Sequence, residues 1–167
     1  MPLLKDGLPT EDPWRFAESE EDLDREGPVF VTLELWRSAR ARLAGRNAAL
    51  GLRLKSDQSP EDLAEDLAHF KAIALEFPKF TDGRAYSHAR ILRERLGFRG
   101  ELRAVGVVLR DQLAFMARCG FDAVELDAPD AAESWTAATG EFSAWYQPAG
   151  DGGAPISALR RRLQAAE

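Results

Sequence analysis

Between Phe77 and Gln112 the chain reads FPKFTDGRAYSHARILRERLGFRGELRAVGVVLRDQ, and its polar side chains fall where apolar runs stop. Lys79, Thr81, Asp82, Gly83 and Arg84 follow one run; Arg110, Asp111 and Gln112 follow the next. Gly83 allows a tight turn, and a helix starting behind it offers backbone N–H groups at a positive dipole end. Arg84, Ser87 and Arg90 lie near that end, so the pattern suits a compact anion such as phosphate, sulfate, sulfite or a carboxylate. Asp82 and Asp111 are the candidates for acid or base work, although residue type and spacing alone assign no catalytic residue. A plainer arrangement uses the same groups: the two aspartates cap helices and the two arginines pair with them.

The rest of the inventory narrows the chemistry. One cysteine and two histidines exclude, within one chain, a disulfide framework, a redox dithiol, a four-thiolate cluster and a Cys-rich or His-rich metal centre. No resident cofactor and no metal are expected. Cys119 stands just before Gly120 at the negative end of an expected helix, which suits a buried, inert thiol. His88 falls in the first turn of a helix, where its basicity drops; His69 reads as a surface residue. Neither the G-x-G-x-x-G nor the G-x-x-x-x-G-K-[ST] nucleotide fingerprint occurs. Trp135, Phe142, Trp145 and Tyr146 are expected on one late helix, glued to the core.

Five apolar, β-rich runs position these groups: 28–35, 49–56, 71–77, 101–109 and 121–126. Helical patterns lie between them. One covers 36–44. A second starts at Ser59-Pro60-Glu61-Asp62, with cap, first-turn proline and acids, and continues through Leu63, Leu67 and Phe70. A third runs from Gly83 through Ile91, Leu92 and Leu96 to Gly97, a fourth covers 111–119 behind an Asp111 cap, and a fifth covers 131–146. The alternation predicts right-handed βαβ units and an α/β fold. The expected form is an open, mainly parallel sheet of about five strands, with a partial TIM-barrel-like wind as the alternative, because a full eight-fold barrel needs roughly 200 residues or more. The expected organisation is an irregular acidic arm over 1–27, one α/β domain over 28–147, and a flexible or helical tail over 148–167. In either architecture, ligands sit beyond the carboxyl ends of the parallel strands, where the polar residues above gather.

At 167 residues, with 45% apolar and 30% charged residues, the composition is that of an ordinary globular domain. Its net charge of −6 is unevenly spread. Residues 11–26 hold eight acids against two arginines, whereas 84–118 hold eight arginines against three acids. An acidic arm beside a basic centre is suited to cover it or to steer a partner, and the plainer expectation is solvated surface. Nucleic acid is not an expected ligand, since such binders are usually basic overall. No apolar run approaches the ~20 residues of a membrane span, and MPLLKDGLPTEDP lacks the features of a signal peptide, so the expected location is cytoplasmic.

FPKFTDGRAYSHARILRERLGFRGELRAVG and LRDQLAFMARCGFDAVEL, together with LAGRNAALGLRL and the late AWYQ, resemble a bacterial family of unknown function, number 934, from about Val29 to Gln147. The family motif falls here on Phe80, Thr81, Asp82, Gly83, Arg84, Ser87, Arg90, Arg103, Gly106, Arg110, Asp111 and Gln112. The resemblance adds Arg103 to the expected ligand set of Lys79, Thr81, Asp82, Gly83, Arg84, Ser87, Arg90, Arg110 and Gln112. The family often has an acid after Gly106, where this chain has Val107. Members are often encoded beside sulfite reductase, which implies an accessory role in assimilatory sulfite reduction with that enzyme or a neighbouring one as partner. The oxidoreductase label such members carry rests on gene neighbourhood and leaves open whether there is a reaction. The alternative expectation is a small anion- or phosphate-binding enzyme or sensor with its site at the strand ends.

Overall fold

The structure, a computed structural model, describes residues 3–142, 145–150 and 155–158. Eight strands form one sheet: β1 (Leu3–Lys5), β2 (Leu8–Thr10), β3 (Arg15–Ala17), β4 (Val29–Thr32), β5 (Leu50–Leu54), β6 (Ala72–Phe77), β7 (Glu101–Gly106) and β8 (Ala123–Glu125). Their order across the sheet is β2-β1-β8-β7-β6-β5-β4-β3. Neighbours from β3 to β8 are parallel, whereas β1 runs antiparallel to both β8 and β2. From β3 to β8 each strand joins the next without reversal, which is the winding of a barrel and not of a doubly wound sheet with a switch point.

Successive right-handed crossovers in one direction put the helices on one face. These are α1 (Leu33–Ser38), α2 (Arg40–Ala44), α3 (Arg84–Arg90), α4 (Leu113–Cys119) and α5 (Ala131–Gly140). Under them lies the main core, in which Val29, Val31, Leu52, Leu54, Ile73, Leu75, Phe77, Leu102 and Ala104 from the strands meet Trp36, Leu92, Leu113 and Met116. Strand alternation sends Phe30, Ala72, Ala74 and Val105 to the other face, where Trp14 covers them.

The chain itself enforces curvature. The two edge strands, β2 and β3, are consecutive in sequence and joined by residues 11–14. Thr10 and Arg15 are five chain steps apart, a reach of about 18 Å. A flat sheet would separate its edges by seven strand spacings, about 34 Å. The sheet therefore curls into a half-barrel, with residues 11–14 as a strap across its concave side.

The eight strands exceed the expected five, because residues 1–27, read as irregular, supply three. Each is only three residues long and owes its form to a distant neighbour, a pairing that local pattern does not reveal. Asp6 and Gly7, both at positive φ (50° and 80°), make the two-residue turn between β1 and β2. Pro9 sits in edge strand β2, where a missing N–H is tolerated.

Other boundaries shift for similar reasons. The run 28–35 stops at Thr32, whose Oγ1 accepts from Leu35 N–H at 3.1 Å and starts α1. The expected helix after Ser59 is two short 3₁₀ turns, Pro60–Leu63 and Leu67–His69. Between them Asp66 accepts from Trp36 Nε1 at 2.9 Å and pairs with Arg40. β7 ends at Gly106 rather than at residue 109, and α3 continues as a π-helical turn, Ile91–Arg95. α5 stops at Gly140, so Phe142, Trp145 and Tyr146 lie beyond it. Trp135 packs partly against the core, Phe142 meets Trp145 at a tilt with ring centres 4.9 Å apart, and Tyr146 is exposed.

Candidate functional site

The strand ends form a rim. Behind β6, Asp82 holds Arg84 through Nε (3.0 Å) and Nη2 (2.6 Å) and accepts its backbone N–H at 3.2 Å. Ser56, behind β5, closes this clamp: its hydroxyl donates to Asp82 at 3.0 Å and accepts from Arg84 Nη2 at 2.8 Å. The Arg84 hydrogen bond, helped by the Arg84 backbone N–H and Ser56, holds the Asp82 carboxyl well below the usual range against the opposing effect of burial. An acid so firmly ionised is a weak proton acceptor and no proton donor near neutral pH. Burial, aided by Arg84, lowers the basicity of His88, with Asp82 opposing.

The expected arginines behind β7 and on α3 are also engaged. Arg110 pairs with Asp130 at 3.0 Å and Arg90 with Glu94 at 2.8 Å. Asp111 does not cap α4. Gln112 caps the short 3₁₀ turn Arg110–Gln112 ahead of α4: its Oε1 accepts from Leu109 N–H at 3.0 Å, and its Nε2 donates to Phe80 O at 3.1 Å, tying the loops behind β6 and β7 together. Asp111 is exposed. Lys79, Thr81, Gly83 and Ser87 are exposed around the clamp. The structure thus brings Lys79, Thr81, Asp82, Gly83, Arg84 and Ser87 to one loop and helix start. Arg84 and Arg110 are held by separate carboxylates.

Arg103 lies elsewhere, on the concave face, with no exposed side-chain surface. Its guanidinium contacts Asp12 (2.6 Å), Glu101 (2.9 Å) and Glu125 (3.5 Å), and lies 5.0 Å from the centre of the Phe30 ring. Burial acts to lower its basicity, but hydrogen bonds and charges from Asp12 and Glu101 win and raise it. Burial raises the Glu125 carboxyl despite Arg103. This is an internal tie: Asp12 belongs to the strap, which Arg103 fixes to β7.

Two further features were not legible as sites. At the carboxyl ends of β3 to β6 a cavity of about 310 Å³ is lined by Glu18, Thr32, Glu34, Arg53, Lys55, Gln58 and Glu76. Strand alternation aims Arg53 and Lys55 from β5 and its extension, and Glu76 from β6, to the same side. The alternating charges of LGLRLK and AIALEF were a signal for it. On the helix layer, a larger apolar groove of about 450 Å³ runs between Phe115, Cys119 and the segment around Trp145, with Asp111 and Arg90 of the expected site residues on its lining. Cys119 is buried there.

The β6–β7 sector of the rim is also apolar. Phe80, Val107, Leu109 and Phe115 are 59%, 43%, 38% and 57% exposed, and Phe115 rests edge-on against Tyr86 at 4.8 Å. Burial pushes the Tyr86 phenol up to about 12. Among the described residues no three His, Cys, Asp or Glu side chains gather as a metal set, and no helix is long and apolar enough to cross a membrane.

Winding, strap and rim define a singly wound, mainly parallel α/β half-barrel whose strand ends carry both charged and apolar surface. A family described as "Bacterial protein of unknown function (DUF934)" matches residues 51–157, and the chain belongs to it. The match takes in β5 to β8 and all the family-motif residues; the strap and β1 to β4 lie outside it. No curated protein and no solved structure matches the chain.

Proposed function

We propose that the protein is an accessory component of assimilatory sulfite reduction that docks on sulfite reductase, or on a neighbouring enzyme of sulfate assimilation, through the β6–β7 sector of its rim. The observation that carries this reading is the exposed apolar quartet of Phe80, Val107, Leu109 and Phe115. Gln112 holds its two loops in fixed relation, so the surface is preorganised. Val107 adds apolar area where the family often has an acid. The rim arginines already engaged by Asp82, Asp130 and Glu94 favour docking over capture of a free anion. Gene neighbourhood in the resembling family supplies the choice of partner.

The test is capture of sulfite reductase by the tagged protein, with growth of a deletion strain on sulfate or cysteine as sole sulfur source. Capture, its loss in Leu109→Asp and Phe115→Ser, and slow growth on sulfate alone are expected. No captured sulfur-assimilation enzyme together with normal growth on sulfate would overturn the proposal.

A second reading keeps one favouring observation. Lys79, Thr81 and Ser87 surround Arg84 and are exposed, so a compact anion has donors there without separating the Arg84–Asp82 pair. Thermal-shift measurements with sulfite, sulfate and phosphate test it. A rise in melting point that Arg84→Ala removes is the expected result; no rise with any of the three sinks it.

A further inference from the structure

We infer that the mouth of the half-barrel on its β3–β6 side is a binding site for a small zwitterion of the amino-acid class. The cavity occupies the place where barrel folds keep their ligands, beyond the carboxyl ends of parallel strands. It lies on a different sector from the docking quartet and does not depend on it. At about 310 Å³, the space equals roughly ten water volumes, enough for a free amino acid but small for a nucleotide.

Its charges are sorted into engaged and available groups. Arg53 pairs with Glu76 at 3.2 Å and lies 5.3 Å from the centre of the Phe16 ring, so it forms a fixed inner wall. Nearer the opening, Lys55 and Glu34 stand 3.7 Å apart, beyond the length of a good charge-assisted hydrogen bond. Gln58 holds both sides of this pair: its Oε1 accepts from Lys55 N–H at 2.9 Å, and its Nε2 donates to Glu34 at 3.0 Å. The backbone N–H of Glu34 and the nearby Lys55 keep the Glu34 carboxyl below its ordinary range, against burial, so it is ionised at neutral pH. Across the opening, the Glu18 carboxylate has no partner among the described residues.

Three carboxylates against two cations leave the cavity one negative charge in excess. A simple anion meets that excess; a simple cation meets Arg53 and Lys55. A molecule carrying both charges leaves that net charge unchanged and gives Glu18, Glu34 and Lys55 each an opposite partner, while Arg53 and Glu76 keep each other. Its ammonium takes Glu18 and Glu34, its carboxylate takes Lys55, and the loose Lys55–Glu34 contact opens to admit it without leaving either partner unpaired.

The probes are the free L-amino acids, with propylamine and propionate as half-ligands, in thermal-shift and calorimetric titrations of the full chain. At about a hundred times its Kd, a bound amino acid raises the melting point by roughly 5–10 °C. Neither half-ligand produces a comparable rise. Lys55→Met and Glu18→Gln each weaken binding at least about tenfold, the worth of one charge-assisted contact. Both positions are exposed, and an unchanged urea midpoint without ligand shows that the variants fold. Phe115→Ser and Arg84→Ala leave binding unchanged. The inference falls if no amino acid raises the melting point, if propylamine or propionate alone binds as well, or if binding survives both the Lys55 and Glu18 substitutions. A failed capture of sulfite reductase would leave this result untouched, since that assay reads the neighbouring β6–β7 sector.

Discussion

Gly106 closes β7 at φ 94°, and a Cβ there would lie 2.5 Å from the Phe77 carbonyl oxygen. Backbone strain and the clash act together, because that carbonyl is fixed by Val107 N–H at 2.8 Å. Gly106→Ala is expected to cost about 2–4 kcal/mol and to lower the melting point by roughly 5–15 °C, as read by urea and thermal unfolding. Asp82 makes a second prediction at this scale. Its folded pKa lies below the unfolded value near 3.8, so its contribution to stability is present above that value and fades as pH falls below it. Melting curves from pH 7 down to 3 should show wild type losing stability more steeply below about pH 4 than Asp82→Asn; parallel curves would contradict the clamp. The clamp also shows what local reading captures. Asp82 and Arg84 are two residues apart and their pairing was foreseeable, whereas Ser56, twenty-six positions from Asp82, is brought in only by the parallel register of β5 and β6.

Elements that carry their own apolar period were legible: β4 to β8 lie within the five expected runs. Those that depend on a partner were not. β1 and β3 are held by β8 and β4, and the Asp6–Gly7 turn, a strong hairpin signal, went unread because its flanking strands are too short to alternate visibly. The helix expected after Ser59 had a true cap, with Ser59 Oγ accepting from Glu61 N–H at 3.3 Å. It broke because Trp36 and Arg40 capture Asp66. Gln112 joins two elements with one side chain. Gln112→Ala should cost about 1 kcal/mol. It should also speed amide exchange at Leu109 and in the loop around Phe80, while leaving β6 protected; unchanged exchange in both loops would refute the bridge.

At the scale of the molecule, curvature rests on a tie spanning ninety-one positions, from Asp12 to Arg103. Of the acidic arm and the basic centre, one pair meets in this tie, Asp12 with Arg103; Glu20 and Asp24 of the arm face Arg42 instead. No spacing rule predicted which carboxylate would meet which arginine. Asp12→Ala strips the bidentate partner from a guanidinium with no exposed surface and is expected to cost about 2–3 kcal/mol. Arg103→Met instead strips the guanidinium from Asp12 and Glu125 and leaves Glu101 with Lys5, 2.8 Å away, at about 3 kcal/mol or more. The double variant should lose less than the sum, the mark of a direct interaction; simple additivity in urea unfolding would show that strap and strand are energetically independent.

The pairing of β1 with β8 also sets a timetable. Leu3 and Leu4 leave the ribosome well before their partners, Glu125 and Val124, which are more than a hundred residues behind. At a synthesis rate of about 5–20 residues per second, the opening hairpin waits several seconds with one side unpaired. The sheet closes only once nearly all of its strands have been made, so chaperones have their longest access to the stretch that finally bridges the concave face.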